Sequence, residues 1–107
     1  MAQPILDAFQ VIADPSRRQM LMLLSKDNRT INSLAANFDM SRPAVSKHIK
    51  ILYGAGFIVI QDIGRERHCR LKQDGFNALH DWLNFFDQFW TSKLKNLKDL
   101  LNNKLPN

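Results

Sequence analysis

Residues 41–53 read SRPAVSKHIKILY, and this stretch decides how the rest of the chain is interpreted. At about 100° per residue, Val45, Ile49 and Leu52 fall on one side of a helix and form an apolar stripe suited to burial. Ser41 stands where a side chain caps a first helical turn. The proline that follows is tolerated in that turn, because its missing amide hydrogen would lack a partner there. The spacing therefore predicts a short amphipathic helix over 41–53.

The opposite face of this helix is polar and basic, which is compatible with a metal site, an active site or a nucleic-acid reader. Serine hydroxyls and first-turn amides can bond phosphates or base edges, and Arg or Lys can pair with guanine or phosphate. In a helix-turn-helix, the N-terminal part of the second helix is presented to the major groove. We predict a DNA-binding face made of Ser41, Arg42, Pro43, Ser46, Lys47 and Lys50.

The excess positive charge of the chain is confined to one third of its length. The net charge is +5, and residues 41–72 hold seven basic side chains against two acidic ones. In 1–40 and in 73–107, four basic side chains are balanced by four acidic ones. Such concentration is typical of a surface that binds a polyanion, so it favours nucleic acid as the partner.

The other elements follow from caps, turns and apolar spacing. Two β-prone runs flank the Gly64-Arg65 turn and indicate a hairpin. We predict a mainly α (α+β) fold of four helices, a β-hairpin wing and a long C-terminal helix. The first four helices are expected over 1–12 (from Pro4), from the Asp14 cap to about Leu24, from the Thr30 cap through Phe38, and over 41–53. The wing is expected over 57–72 and the last helix over 76–102. All of these elements belong to one domain over 1–107.

The last predicted helix is too apolar for a chain of this size to bury. About 27 residues span roughly 40 Å. Apolar residues recur there at spacings of three or four, and a second set widens the stripe: Trp82, Phe85, Phe89 and Leu100. We therefore expect a two-fold dimer. The predicted interface residues are Ile5, Leu6, Phe9, Leu83, Phe86, Trp90, Leu94 and Leu97. The alternative is that the aromatic helix binds an unknown protein partner or senses a small-molecule effector.

Four stretches resemble the ArsR/SmtB family of winged helix-turn-helix repressors. They are IADPSRRQMLMLLS at 12–25, SRPAVSKHIKIL at 41–52, AGFI with the hairpin at 55–71, and DWLNFFDQFWTSKLKNL at 81–97. The resemblance implies a cytoplasmic homodimer that binds an inverted-repeat operator in double-stranded DNA and represses transcription. It also implies that the wing reaches the flanking backbone or the minor groove, which adds Arg65 and Arg67 to the predicted DNA-binding residues.

Metal sensing, which the same family includes, is not expected of this chain. The sensors place cysteines on the helix before the recognition helix, at positions that fall here at about Thr30 and Asn32. Residues 1–68 contain no cysteine, and His80 is the one histidine of the last helix. The sequence therefore resembles the branch without metal-sensing cysteines, and we expect no metal or other cofactor. No nucleophile–base set or phosphate-binding loop indicates an enzyme.

Two further side chains have competing interpretations. His48 lies at the edge of the buried stripe, and we expect it to bond a backbone group at the border of the core. Cys69 alternates with Leu71, which predicts an inward, packed thiol. Its arginine neighbours would favour a thiolate, so a redox sensor is the alternative. A single cysteine fits a reducing cytoplasm, and no apolar run is long enough for membrane insertion.

Overall fold

The computed structural model describes residues 6–104, except for the side chains of residues 103 and 104. The structure is mainly helical with one small antiparallel sheet, so the predicted fold class is confirmed. The elements are α1 (Ala8–Ile12), α2 (Pro15–Leu24), β1 (Arg29–Thr30), α3 (Ile31–Ala35), α4 (Arg42–Gly54), β2 (Ile58–Ile63), β3 (Glu66–Leu71) and α5 (Gln73–Lys104). None of the helices in this described part is both long and apolar enough to cross a membrane.

Side-chain caps begin the first four helices. The caps are Asp7, Asp14, Thr30 and Ser41, whose oxygens accept hydrogen bonds of 2.8 to 3.2 Å from the amide three residues on. Each cap gives a partner to an amide that the helix itself leaves unpaired. The last three caps were predicted, whereas the predicted helix over 1–12 is wrong at its start. The backbone of Asp7 is extended, so Leu6 precedes α1, and residues 1–5 lie outside the described residues.

The sheet has the strand order β1-β3-β2, with β3 in the centre. Ile63 pairs with Glu66 in the hairpin, which leaves Gly64 and Arg65 as a two-residue turn. Gly64 adopts a φ of 62°, the left-handed conformation that such turns require of their first residue. The short strand β1 was not predicted, and it joins the start of α3 to the wing. The strands of the hairpin begin and end one residue inside the predicted 57–72.

The hydrophobic core lies between the helices and the inner face of the sheet. The predicted stripe of α4 is confirmed, because Val45, Ile49 and Leu52 are at most 1% exposed. Cys69 is fully buried on the central strand, and burial raises the pKa of its thiol. A buried thiol with a raised pKa is a poor nucleophile, which supports the packed interpretation over the redox sensor.

Helix α5 leaves the core and extends well beyond it. It has 32 residues and begins three residues before the predicted start, and the longest dimension of the molecule is 72 Å. Its first turn is held against the core by Gly75, whose amide donates a 2.8 Å hydrogen bond to the carbonyl of Gly56. A Cβ atom at Gly75 would lie 2.7 Å from the ring of Phe57, so only glycine permits this close approach.

Candidate nucleic-acid interface

The outward face of α4 carries the side chains that were predicted to meet DNA. Arg42, Pro43, Lys47 and Lys50 are exposed and Ser46 is half-buried, on the side of the helix opposite to the buried stripe. Ser41 is also exposed, and its hydroxyl accepts the 3.2 Å hydrogen bond from the amide of Ala44. The N-terminal turn of α4 therefore points to solvent with its polar groups uncovered, as a reading helix requires.

Arg42 is held in place across the helix-turn-helix. Its Nε donates a 3.0 Å hydrogen bond to Oδ1 of Asn32 on α3, and its Nη1 donates to the hydroxyl of Ser46 on α4. The resemblance to the metal sensors places one of their cysteines at about Asn32, and here the amide of Asn32 contacts an arginine. A side chain that is already ordered loses less conformational entropy when it binds a ligand.

The wing approaches the same end of α4. An open cleft of about 270 Å³ is lined by Arg42, Asn32, Arg65, Glu66 and Arg67, among others. Arg67 pairs with the facing Asp62, at 3.3 Å between Nε and Oδ1, and both side chains are largely exposed. Exposed pairs of this kind contribute little to stability, so Asp62 does not hold Arg67 strongly. The three predicted arginines thus lie around one cleft.

Most basic side chains of residues 41–72 have no carboxylate close by. Lys72 pairs with Asp74 at 3.3 Å, and Arg67 pairs with Asp62. Within the described part of the chain, no carboxylate lies within 4.0 Å of the charged group of Arg42, Lys47, Lys50, Arg65 or Arg70. Their charge is therefore available to a polyanion.

His48 has side-chain neighbours rather than the backbone partner that was predicted. Its Nδ1 lies 3.2 Å from Nη1 of Arg17 and 3.9 Å from Oδ2 of Asp14. The prediction failed because it considered α4 alone, whereas the partners come from α2. Arg17 was missed, although it shares the face of α2 that carries the buried Met20 and Leu24, a signal that marks a buried arginine.

Asp14 belongs to the same cluster, and its carboxylate is stabilised in the charged form. Burial by itself acts to raise the pKa of Asp14. The hydrogen bond from the amide of Arg17 and the positive charge of its guanidinium act against burial and hold that pKa below its ordinary value of 3.8. Asp14 therefore caps α2 and also makes the stability of the fold depend on pH in the acid range.

The predicted dimer residues form an exposed apolar surface. Phe9 of α1 packs edge-on against Trp82 of α5, with ring centroids 5.4 Å apart. Leu6 is half-buried against the core, and Ile5 lies outside the described residues. The remaining five lie along α5 and are 37% to 64% exposed: Leu83, Phe86, Trp90, Leu94 and Leu97. Their contact with a second chain remains a prediction.

Side chains that commonly bind metals are dispersed over the molecule. Among residues 6–104, no three His, Cys, Asp or Glu side chains gather into a group that a metal ion would need. His80 stands on α5 at an exposed position, and Thr30 and Asn32 make the contacts described above. The absence of a metal cofactor remains a prediction.

The arrangement of a short helix, a turn, a reading helix and a basic hairpin defines a winged helix-turn-helix protein. The family profile described as "Bacterial regulatory protein, arsR family" matches residues 14–59, from α2 into β2. The HTH-type transcriptional regulator Rv2034 of Mycobacterium tuberculosis is 33% identical over 91% of this chain and 88% of its own length. The chain belongs to the ArsR family and is a transcriptional regulator.

Two further proteins support the assignment. The transcriptional repressor SdpR of Bacillus subtilis is 32% identical over 73% of this chain and 91% of its own length. The crystal structure of an ArsR family transcriptional regulator superposes with a TM-score of 0.73 at 38% identity, over 78% of this chain and 92% of that one. Sequence and architecture therefore agree on the family.

Proposed function

We propose that the protein is a homodimeric repressor that acts in the cytoplasm by binding an inverted-repeat operator in double-stranded DNA. The observation that carries the proposal is the shared surface of α4 and the wing, where basic side chains, most of them without a carboxylate partner, lie near an exposed helix N-terminus. Repression is supported by the similarity to a relative that is itself named a repressor. The proposal involves binding alone, and we expect no catalytic activity.

Each residue of the reading helix has a role in this proposal. Arg42 pairs with a guanine edge, since its guanidinium keeps free N–H groups beside those used by Asn32 and Ser46. Lys47 and Lys50 neutralise phosphates on either side of the groove. Pro43 offers an apolar contact, such as one with a thymine methyl group.

The wing provides the second set of contacts. Arg65 is exposed in the turn of the hairpin and extends beyond the strands toward the flanking backbone or the minor groove. Arg67 exchanges Asp62 for a phosphate when DNA approaches. These two contacts lengthen the footprint on each side of the bases that α4 reads, because the wing lies beside the N-terminal end of that helix.

Dimerisation is the function proposed for the exposed apolar surface of α1 and α5. An uncovered stripe of this length is unfavourable in water, and a second copy of the chain would remove it from solvent. In a two-fold dimer, the reading helices meet successive major grooves about 34–36 Å apart, which is the geometry that an inverted repeat requires.

The proposal is tested by selecting bound fragments of genomic DNA with the purified protein and measuring affinity against salt. We expect one inverted repeat to be enriched. Lys50→Ala should weaken binding to all sequences and lower the salt slope by about 1. Arg42→Ala should cost about 1–3 kcal/mol on the selected site and relax specificity at one base pair.

A matched control is available on the polar side of α5. Lys95→Ala removes the same charge from an exposed position away from both the DNA face and the apolar stripe of α5, so affinity and salt slope should stay unchanged. Enrichment of no fragment, or affinity that does not depend on salt, would contradict the proposed function.

A further inference from the structure

One buried arginine joins three helices of the molecule. Arg17 is 9% exposed and is the one charged residue of the buried core in the part that the structure describes. Its Nε donates a 2.7 Å hydrogen bond to the carbonyl of Val11, and its Nη2 donates to the carbonyl of Gln10 at 3.2 Å. Its Nη1 lies 3.2 Å from Nδ1 of His48. A single guanidinium on α2 therefore holds the last turn of α1 and the reading helix α4.

The contact with His48 allows one arrangement of hydrogen atoms. A guanidinium stays protonated in proteins and can only donate, so Nδ1 of His48 must accept. The imidazole is then neutral and carries its hydrogen on Nε2. A hydrogen bond of this kind depends on angle as well as distance. It therefore adds a directional contact to the non-directional packing of the apolar stripe of α4.

The same arginine is connected to the proposed dimer surface through α1. Phe9 of α1 packs against Trp82 of α5 at 5.4 Å, and the carbonyls that Arg17 holds lie one and two residues further along α1. His48 is adjacent to Lys47 of the DNA face. A continuous set of contacts thus runs from the dimer surface to the residues that meet DNA.

We propose that Arg17 and His48 are positioning residues, which fix the reading helix relative to the dimerisation helices and so set the distance between the two reading helices of the dimer. The inference rests on the proposed function, since a distance between half-sites matters only to a dimer that binds an inverted repeat. Half-site spacing is a geometric property of such dimers, so a change in the orientation of α4 changes which spacing is bound.

His48 is the better residue for a test, because Arg17 has a second task. The bonds from Arg17 satisfy carbonyls at the end of α1, and their loss would leave buried acceptors unpaired. His48 is half-buried, so its replacement disturbs the core less. Asparagine at this position places an acceptor oxygen close to the site of Nδ1, whereas leucine fills a similar volume without an acceptor.

The experiment compares the wild type, His48→Asn and His48→Leu on the selected operator and on operators whose spacer is one base pair longer or shorter. We expect the wild type and H48N to bind the original spacing about tenfold or more tightly than the altered spacings, because an altered spacer no longer matches the distance between the two reading helices. H48L should lose most of that preference while its binding to non-operator DNA stays close to that of the wild type, and its cooperative thermal unfolding should show that it remains folded.

Each result distinguishes the inference from its alternatives. An H48L variant that keeps the spacing preference of the wild type would overturn the inference, and so would equal losses in H48L and H48N. If the wild type itself binds no inverted repeat, the proposed function fails first and the inference fails with it. A measurement that needs no variant is the ¹⁵N shift pattern of the His48 ring, which should report the hydrogen on Nε2. A neutral ring with its hydrogen on Nδ1 would also overturn the inference.

Discussion

The segment from α2 to the wing differs from the long helix α5 in the exposure of its apolar side chains. In the first, Leu52 and Phe57 are fully buried and the basic side chains face solvent. In the second, Trp90 is 58% exposed and Leu94 is 64% exposed. The first region completes its hydrophobic core within one chain. The second leaves its apolar surface uncovered, which soluble monomers rarely do over such an area.

The largest expected effect comes from the same substitution, leucine to alanine, made once in each of the two regions. Leu52→Ala removes a fully buried side chain and should lower the free energy of unfolding by about 2–5 kcal/mol. Leu97→Ala, at a residue 53% exposed in the chain, should instead weaken the association of two chains. Denaturant unfolding measures the first effect, and sedimentation equilibrium over a range of protein concentrations measures the second. A wild type that remains a monomer at micromolar concentration would contradict the dimer.

A single added methyl group at the junction between the two regions should lower the stability of the protein. Gly75→Ala places a Cβ against the ring of Phe57, and overpacking of this kind costs about 1–3 kcal/mol. The better helix propensity of alanine offsets only part of that cost. Gly54→Ala is the matched control, since a Cβ there meets no atom within 4 Å. Thermal unfolding should show a lower Tm for G75A than for G54A, and equal values would argue against a tight junction.

The smallest expected effect concerns the cap at Asp14. The pKa of Asp14 is lower in the folded protein than its ordinary value of 3.8, so the ionised carboxylate stabilises the fold at pH values above 3.8. This contribution is lost as the pH falls through the pKa of the folded state. Asp14→Asn keeps a good cap without the charge, so its stability should fall less steeply in this acid range. Asp14→Ala removes the cap and should cost about 1 kcal/mol at neutral pH. Urea unfolding at a series of pH values checks both, and parallel pH profiles for the wild type and D14N would contradict the assignment.

Local signals explain why most elements were predictable. The cap at Ser41 and the apolar stripe of α4 lie within one short stretch, and the glycine of the wing turn stands between two β-prone runs. Strand β1 was missed because two residues have no periodicity to recognise. Helix α1 was predicted too long because Pro4 suggested a start, whereas Asp7 and Gln10 form a reciprocal cap three residues later.

The exposed residues of the candidate site were predictable from the sequence, whereas the contacts that hold the site in place were not. Exposure of Lys47 and Lys50 follows from their angle to the buried stripe, although their contact with DNA remains a prediction. The hydrogen bond between Asn32 and Arg42 depends on how α3 crosses α4. The contact of Arg17 with His48 joins residues 31 positions apart, and helical spacing gives no information about such a pair.

The close approach of Gly75 to Phe57 also fixes the point from which α5 extends beyond the core. From that point about 29 residues of helix extend for roughly 43 Å, so a tilt of about 10° at Gly75 would move the far end by about 7.5 Å. Phe57 directly precedes the first strand of the wing, and its carbonyl accepts a 2.8 Å hydrogen bond from the amide of Lys72 at the end of the second. In the proposed dimer, a small change in the angle at which two copies of α5 cross would therefore shift the base of each wing.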